Sequence, residues 1–242
     1  MLRHVLLTTA VLGCFVSLVS VQAADQSSAS PGGTWGWSYD YGQGEVKSLL
    51  TLQVKDKLVT GMFYGQNDKV EIKDGTFDGT KVEFKFDIVH DGQTITVSFN
   101  GVPSEDAIKG TLSAKVDGQA HEFPWKAARA TRPEDVVGVW KLKIETDNGQ
   151  TFEPEVKLEQ AESKLTGRYV SKEVGEHDLK DVTLEDNVLK FSVSISKDGH
   201  TLKLDYQGKP RGDQLAGEIQ YDLDGNTGST KYTGALSPPK AE

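Results

Sequence analysis

Four aromatic residues stand at every second position of residues 33–41, and they are the strongest candidates for ligand contact in this sequence. They are Trp35, Trp37, Tyr39 and Tyr41. Alternate side chains of a strand point to one face, so this spacing predicts a single stripe of rings. Such rings can stack on a sugar or a small apolar molecule, and tyrosine hydroxyls can orient it, but rings of this size also fill cores.

The predicted ligand site combines the outer part of this stripe with aromatic residues from later strands. We expect a carbohydrate or a small apolar molecule to bind there, without catalysis and with no cofactor. If the rings only pack the core, the protein is instead a structural or protein-interaction module. The predicted ligand-binding residues are Trp37, Tyr39, Tyr41, Phe63 or Tyr64, and Trp125.

Residues with catalytic or metal-binding potential form no recognisable constellation. The histidines outside the N-terminal segment share no metal-ligand spacing; they are His90, His121, His177 and His200. No Gly-x-Ser-x-Gly, His-Glu-x-x-His or phosphate-binding glycine motif is present. A glycosidase needs only two carboxylates, but Asp40, the acidic residue within the stripe, points to the face opposite the rings. A carboxylate-based hydrolase therefore ranks third, and we predict that the protein is not an enzyme and binds no metal.

The chain contains two copies of one unit. Residues 72–125 align with residues 179–232 at a constant offset of 107, and both turn residues and apolar residues agree. The two copies should therefore share one fold. The predicted organisation is a signal peptide (1–23), a flexible leader (24–32), a first repeat (33–130), a linker (131–135), a second repeat (136–237) and a tail (238–242).

Each repeat has the pattern of short strands joined by tight turns. Val82, Phe84, Phe86 and Ile88 alternate with polar residues, which indicates a half-buried strand. The Asp-Gly pairs between such runs are typical of hairpins, because both central residues of a type I′ turn need positive φ. The pattern predicts an all-β fold of two tandem antiparallel meander barrels with about eight strands each, since closure removes exposed edges. Two-sheet β-sandwiches are the alternative.

Two short matches are interpreted as turns. Residues 222–226 contain part of a calcium-loop pattern, but Asp224-Gly225 aligns with the hairpin turn Asp117-Gly118 of the first repeat, and the closing ligands are missing. The tripeptide Arg211-Gly212-Asp213 spells an integrin-binding sequence. Glycine and aspartate are also ordinary turn residues, so a plain turn is the favoured interpretation.

Gly33-Thr34-Trp35 at the first strand and Arg129 at the last resemble the pattern of the calycins, which include lipocalins and avidins. The resemblance implies a meander barrel in which Trp35 and Arg129 form a structural plug at one end. Trp140 is the equivalent residue in the second repeat, where Leu236 replaces the arginine. The tandem repeat is also similar to secreted domains of planctomycete-like bacteria, a likeness that implies no activity.

The two repeats differ along their first strands. The second repeat has Leu142, Ile144 and Thr146 where the first has Trp37, Tyr39 and Tyr41. Either set could fill a core, so the aromatic set favours a ligand in the first repeat.

The N-terminal segment and the charge balance bear on location and partners. Residues 1–23 predict a signal peptide cleaved after Ala23, although Cys14 lies in a lipobox-like context that would make a lipoprotein instead. Cleavage would leave no cysteine and no membrane span, which favours a secreted or periplasmic bacterial protein. The formal net charge is −9. Both repeats are acidic, so we expect neither nucleic acid nor an anionic membrane as a partner.

Overall fold

Strands make up most of the structure. The computed structural model describes residues 29–40, 44–66, 68–90, 92–116, 119–146, 148–162 and 164–237. The predicted signal peptide, most of the leader, the tail and Tyr41 lie outside the described residues. A short 3-10 helix, Pro133–Asp135, lies between the repeats. In chain order the strands are β1 (Gly33–Asp40), β2 (Glu45–Lys55), β3 (Leu58–Tyr64), β4 (Lys69–Glu71), β5 (Lys73–Phe77), β6 (Val82–His90), β7 (Gln93–Pro103), β8 (Ala107–Val116), β9 (Gln119–Arg129), β10 (Gly138–Glu145), β11 (Thr151–Phe152), β12 (Glu155–Ala161), β13 (Lys164–Ser171), β14 (Gly175–Asp178), β15 (Lys180–Glu185), β16 (Val188–Lys197), β17 (His200–Arg211), β18 (Gln214–Leu223) and β19 (Asn226–Ser237).

The first repeat is a closed antiparallel barrel. Consecutive strands pair with each other except for β4 and β5, and β1 closes the ring by pairing with both β2 and β9. The short strands β4 and β5 act as one strand that is interrupted at Ile72, and both pair with β3. The prediction of an all-β meander barrel is therefore confirmed for this repeat.

The second repeat has the same strand order in a ten-stranded antiparallel sheet. Its path runs from β14 through β13, β12, β10, β19, β18, β17 and β16 to β15, with β11 as an extra strand on β10. The two ends of this path, β14 and β15, are separated along the chain only by Leu179. The amide of Leu179 donates to the carbonyl of Gly167 (2.9 Å), just as Ile72 donates to Gly61 in the first barrel (3.0 Å). We call the two units the first and second barrels.

Side-chain alternation explains how each barrel obtains its core. On β7, Ile95, Val97 and Phe99 are buried while the residues between them are exposed or only partly buried. Strands cross closely at glycines: a Cβ at Gly110 would collide with the carbonyl oxygen of Asn100. Only glycine permits this approach, so the position sets the tight coiling of β7 against β8.

The two barrels meet at their plug ends. The guanidinium of Arg211, at the end of β17, pairs with Glu105 in the β7–β8 loop (2.8 Å). The side chain of Asn187, in the β15–β16 turn, accepts from the amide of Thr131 (2.7 Å) and donates to the carbonyl of Arg129 (3.1 Å). These loops lie at the ends of the barrels where β1 and β10 begin. The opposite ends, which we call the mouths, therefore lie away from the junction.

Candidate functional site

Trp35 and Arg129 lie together at the plug end of the first barrel. They are directly paired across β1 and β9, and the Arg129 Cζ atom lies 4.0 Å from the Trp35 ring centroid. Arg129 donates to the carbonyls of Glu105 (2.9 Å) and Gly32 (3.0 Å). Burial, with a smaller contribution from the nearby Arg211, lowers the pKa of Arg129 to about 10, so it stays cationic at neutral pH. The arrangement is structural, because the guanidinium packs on the Trp35 ring and its Nε and Nη1 are bonded to backbone carbonyls, while Nη2 is buried without a partner among the described residues.

Trp140 repeats half of this arrangement in the second barrel. Its indole Nε1 donates to the carbonyl of Val136 (2.8 Å), as the Trp35 indole donates to Pro31 (2.7 Å). Both indoles are fully buried. Leu236 lies opposite Trp140 where Arg129 lies opposite Trp35. This end of the second barrel is thus closed by Trp140 and Leu236 without a buried cation.

The interior of the first barrel is filled by stacked aromatic rings. Trp37 contacts three of the rings around it, with centroid distances of 5.8 Å to Phe63, 6.1 Å to Phe99 and 5.6 Å to Trp125. Phe63 in turn stacks on Phe86 at 4.2 Å. Three of the predicted ligand-binding residues, Trp37, Phe63 and Trp125, are therefore brought together, but they pack on one another.

The other predicted ligand-binding residues do not join this cluster. Tyr39 is 46% exposed near the mouth. The Tyr64 ring faces the cations of Lys69 (5.7 Å) and Arg132 (5.8 Å). Tyr41 lies outside the described residues. Of the alternatives Phe63 and Tyr64, only Phe63 shares the barrel interior with Trp37.

The second barrel instead contains a cavity that opens at its mouth. Its volume is about 510 Å³, within the range of small-molecule sites. Apolar side chains from five strands line most of it, and they include Ile144, Phe152, Ile195, Leu202, Leu204, Ile219 and Leu223. Tyr169 and Tyr206 lie deeper in the lining and are buried.

At two matched interior positions the second barrel has smaller side chains than the first. Leu142 occupies the position of Trp37, whose indole contacts Phe63 and Phe99 in the first barrel. The residues equivalent to those two phenylalanines are Tyr169 and Tyr206, which line the cavity. Val193 likewise replaces Phe86. The changes from Trp37 to Leu142 and from Phe86 to Val193 remove aromatic volume from the interior, whereas the two tyrosines keep their rings and add a hydroxyl.

Three tyrosines line the interior of the second barrel, and two of their hydroxyls lack partners among the described residues. These are the buried hydroxyls of Tyr206 and Tyr232. The Tyr206 ring stacks on Phe191 at 4.6 Å and lies edge-on to Tyr232 at 5.3 Å. Burial raises the pKa of all three tyrosines, Tyr169 included, so each stays a neutral phenol at physiological pH. A buried hydroxyl without a partner is a position where a bound polar group would be stabilised.

Polar side chains surround the mouth of this cavity. Thr146, Asn148, Ser171, Glu173, Ser229 and Thr230 belong to its lining. Glu173 accepts a hydrogen bond from the Ser171 hydroxyl, which holds the pKa of this carboxyl below its usual range. No lysine or arginine is part of the lining that the structure describes. The cavity is thus apolar within, polar at its rim and free of cationic side chains.

Both barrels also carry a groove on their outer surface. The groove of the second barrel has a volume of about 1190 Å³ and that of the first about 420 Å³, and several lining residues are equivalent, such as Asp181 and Asp74. Lysines and carboxylates alternate along the larger groove, with Lys190 and Asp205 among them. Such mixed, exposed charge is typical of a solvated strand face.

The residues considered for catalysis or metal binding do not assemble a site. Among the described residues, no group of three or more His, Cys, Asp or Glu side chains is placed to hold a metal ion. Asp224 accepts from the Thr201 amide (2.9 Å) and lies 2.5 Å from the His200 ring, which ties together two turns. The side chain of Asp40 lies outside the described part of the chain.

The Arg211-Gly212-Asp213 tripeptide lies at the junction between the barrels. Arg211 pairs with Glu105, and Gly212 adopts a positive φ of 66° against the backbone of Gly32 and Gly33. The sequence is therefore used as a turn within the molecule.

The sequence pattern did not predict this cavity. The prediction treated aromatic rings as ligand contacts and did not consider the space that smaller residues leave in a barrel. A signal was present in the repeat alignment. Tyr169, Tyr206 and Tyr232 occupy the positions of Phe63, Phe99 and Trp125, so phenol hydroxyls enter the interior of the second repeat where the first has apolar rings or an indole. Polar atoms placed at core positions indicate a specific partner more strongly than rings do.

Comparison with known proteins adds little to this picture. No protein-family model matches the chain, and no curated protein sequence matches it. Among solved structures, the chain is similar to a candidate outer membrane protein of Bacteroides fragilis, at 12% sequence identity and a TM-score of 0.29, over 85% of this chain and 95% of that chain. At that TM-score the likeness carries no argument, and the calycin resemblance stays a prediction. Across the described residues, no helix has the length and apolar character that crossing a membrane requires.

Proposed function

We propose that this protein is a binding protein for a small, largely apolar molecule, and that the ligand occupies the mouth cavity of the second barrel. The observation that carries the proposal is the cavity of about 510 Å³, with its aliphatic walls and polar rim. Pockets of this size and lining bind small molecules by burying most of their surface. The first barrel serves as a rigid partner whose own interior is filled.

This assignment keeps the predicted class of function and moves the site from the first repeat to the second. The aliphatic lining favours an apolar ligand over a carbohydrate, because stacking on sugars needs exposed aromatic faces. Secretion to the periplasm or the exterior, as the N-terminal segment predicts, would suit the capture of a poorly soluble molecule from outside the cell.

The test is a fluorescence titration with N-phenyl-1-naphthylamine, a neutral apolar probe that brightens in apolar surroundings. We expect saturable binding of one probe per chain. Leu204→Trp should remove this binding by filling the cavity from its wall. Gln207→Trp is the matched control, because it adds the same bulk to the same strand on the outer surface. It should leave the titration unchanged.

Two results would contradict the proposal. If the wild-type protein does not bind the probe, the cavity is not a site for apolar molecules, and the structural or interaction module becomes the better account. If Gln207→Trp abolishes binding while Leu204→Trp preserves it, the outer groove is the site. Circular dichroism of both variants establishes that each has folded.

A further inference from the structure

We infer that the ligand of the second barrel is an uncharged amphiphile, an apolar molecule with a terminal hydroxyl or carbonyl group, and that this group enters first and hydrogen-bonds to the Tyr206 hydroxyl. This inference rests on the proposed function and adds the class and the orientation of the ligand. It depends on three features: the unpartnered hydroxyl, the lack of cations in the lining and the polarity of the rim.

The Tyr206 hydroxyl is the polar group that most needs a partner in this cavity. Tyr206 is only 2% exposed, it belongs to the cavity lining, and its oxygen makes no hydrogen bond of ordinary geometry to a described residue. The Tyr169 phenol is its polar neighbour and, after burial, contributes to the raised pKa of Tyr206. A phenol can both donate and accept, so a ligand hydroxyl or carbonyl would satisfy it. A ligand that supplied this partner would remove the penalty of a buried unsatisfied group.

The charges around the cavity argue against an anionic ligand such as a fatty acid. A carboxylate buried beside Tyr206 would need a cation or several donors to offset its desolvation. The described lining contains no lysine or arginine, and its ionisable side chain at the rim is the acidic Glu173. Of the cations close to the rim, Lys197 donates to the Glu173 backbone carbonyl (2.9 Å), and Lys172 contributes to the lowered pKa of the Glu173 carboxyl after the hydrogen bond from Ser171. A negative head group would therefore meet repulsion at the rim and no compensation inside.

The distribution of polarity also sets the orientation. The lining between rim and floor is aliphatic, with Ile195, Leu202 and Leu204 as examples, so an apolar chain is accommodated there. Tyr169 and Tyr206 supply the polar atoms at depth, and their rings lie 6.3 Å apart. A polar head at the floor and a chain extending to the mouth match this order.

The experiment displaces N-phenyl-1-naphthylamine from the full chain with decan-1-ol or decanoate at neutral pH. Because the two competitors share a chain and differ in head charge, we expect the alcohol to compete at least about tenfold more strongly. Tyr206→Phe should weaken decan-1-ol about fivefold, the effect of one neutral hydrogen bond, while the probe itself still binds. Tyr232→Phe is the matched control, because its hydroxyl lies against Gly208 and Tyr232 is not part of the cavity lining.

The outcomes separate this inference from the function on which it rests. Equal or stronger competition by decanoate would overturn the uncharged class. Unchanged alcohol binding in Tyr206→Phe, or an equal loss in Tyr232→Phe, would overturn the placement of the head group. In each of these cases probe binding by the wild type would still support a ligand site, whereas its absence would reject the proposed function itself.

Discussion

The two barrels share one topology but differ in how their interiors are filled. In the first, Trp37, Phe63, Phe99 and Trp125 form a continuous cluster of rings. In the second, Leu142 replaces Trp37, and a mouth cavity lies beside Tyr206, the counterpart of Phe99. The comparison shows that two copies of one fold can differ in whether their interior is filled when only their core side chains differ. One copy uses large rings for packing, and the other uses smaller or hydroxylated side chains to leave a site.

The ends that join the barrels show the same division. Arg129 in the first barrel is buried against Trp35 and bonded to two carbonyls, whereas Leu236 fills the equivalent place in the second. Because the junction occupies the plug ends, the mouth of the second barrel stays accessible. The following predictions test this comparison, from the largest expected effect to the smallest.

Removing a ring from the first barrel should produce the largest loss of stability. Trp125 is 5% exposed and contacts Trp37, Phe84 and Phe99. We expect Trp125→Ala to lower the free energy of unfolding by about 4 kcal/mol, as for other large-to-small changes in packed cores. Urea denaturation measures the effect. A loss below about 1 kcal/mol would show that the first barrel is not tightly packed.

Converting the plug of the first barrel to that of the second should have a smaller effect. Arg129→Leu removes the contact with Trp35 and leaves the carbonyls of Glu105 and Gly32 without their donor. We expect a loss of about 2 kcal/mol, the contribution of hydrogen bonds made by a charged group. Thermal unfolding of Arg129→Leu measures the effect. The control is Leu236→Met, a volume-conserving change at the equivalent position of the second barrel. Equal melting temperatures would contradict a structural role for the guanidinium.

The buried tyrosines predict a specific dependence on alkaline pH. Burial raises the pKa of Tyr206 and Tyr232 above the ordinary value, so these phenols stay protonated in the folded state and ionise more readily in the unfolded one. The stability that they contribute is complete below about pH 10 and is lost as the pH rises above it. The double variant Tyr206→Phe/Tyr232→Phe should lose less stability over that range. The absorbance of tyrosinate measures ionisation during the alkaline titration, with Tyr64→Phe as the control variant. If all tyrosines ionised over the same pH range, this prediction would be contradicted.

Of two ion pairs across the junction, Lys209 with Asp106 and Arg211 with Glu105, the shorter one should still contribute least among these predictions. Glu105 is largely exposed, and it pairs with Arg211 at 2.8 Å. We expect Glu105→Gln to lower stability by about 0.5 kcal/mol and to leave probe binding unchanged, because exposed pairs are screened by water and salt. A double-mutant cycle with Arg211→Gln measures the coupling. A coupling of several kcal/mol would instead show that the two barrels depend on each other through this contact.

The sequence pattern predicted the architecture well because its signals are local. The alternation along residues 82–99 predicts the hairpin of β6 and β7, and the structure confirms its antiparallel register from Val82 opposite Gly101 to His90 opposite Gln93. The break at Ile72 was not predictable, since apolar and polar residues alternate from Val70 to Lys73 and the following glycine, Gly75, lies within β5. It arises from pairing with Gly61, which is distant in sequence.

The candidate site was far less predictable from the sequence. A cavity is the interior volume that side chains from many distant parts of the chain leave empty. The stripe of Trp35, Trp37 and Tyr39 identifies a face, but its spacing cannot show whether the rings line space or occupy it. Only the contacts of Trp37 with Phe63, Phe99 and Trp125, which come from three other strands, decide that question. The same holds for Tyr206, whose missing partner is visible only once the whole interior is assembled.

The most direct test of the account is a crystal structure of the full chain grown with decan-1-ol. We expect electron density for the alcohol in the mouth cavity of the second barrel, with the alcohol oxygen within hydrogen-bond distance of the Tyr206 hydroxyl. We expect the interior of the first barrel to be unchanged and free of ligand. Alcohol among Trp37, Phe63 and Trp125, or an alcohol-free second barrel, would contradict it.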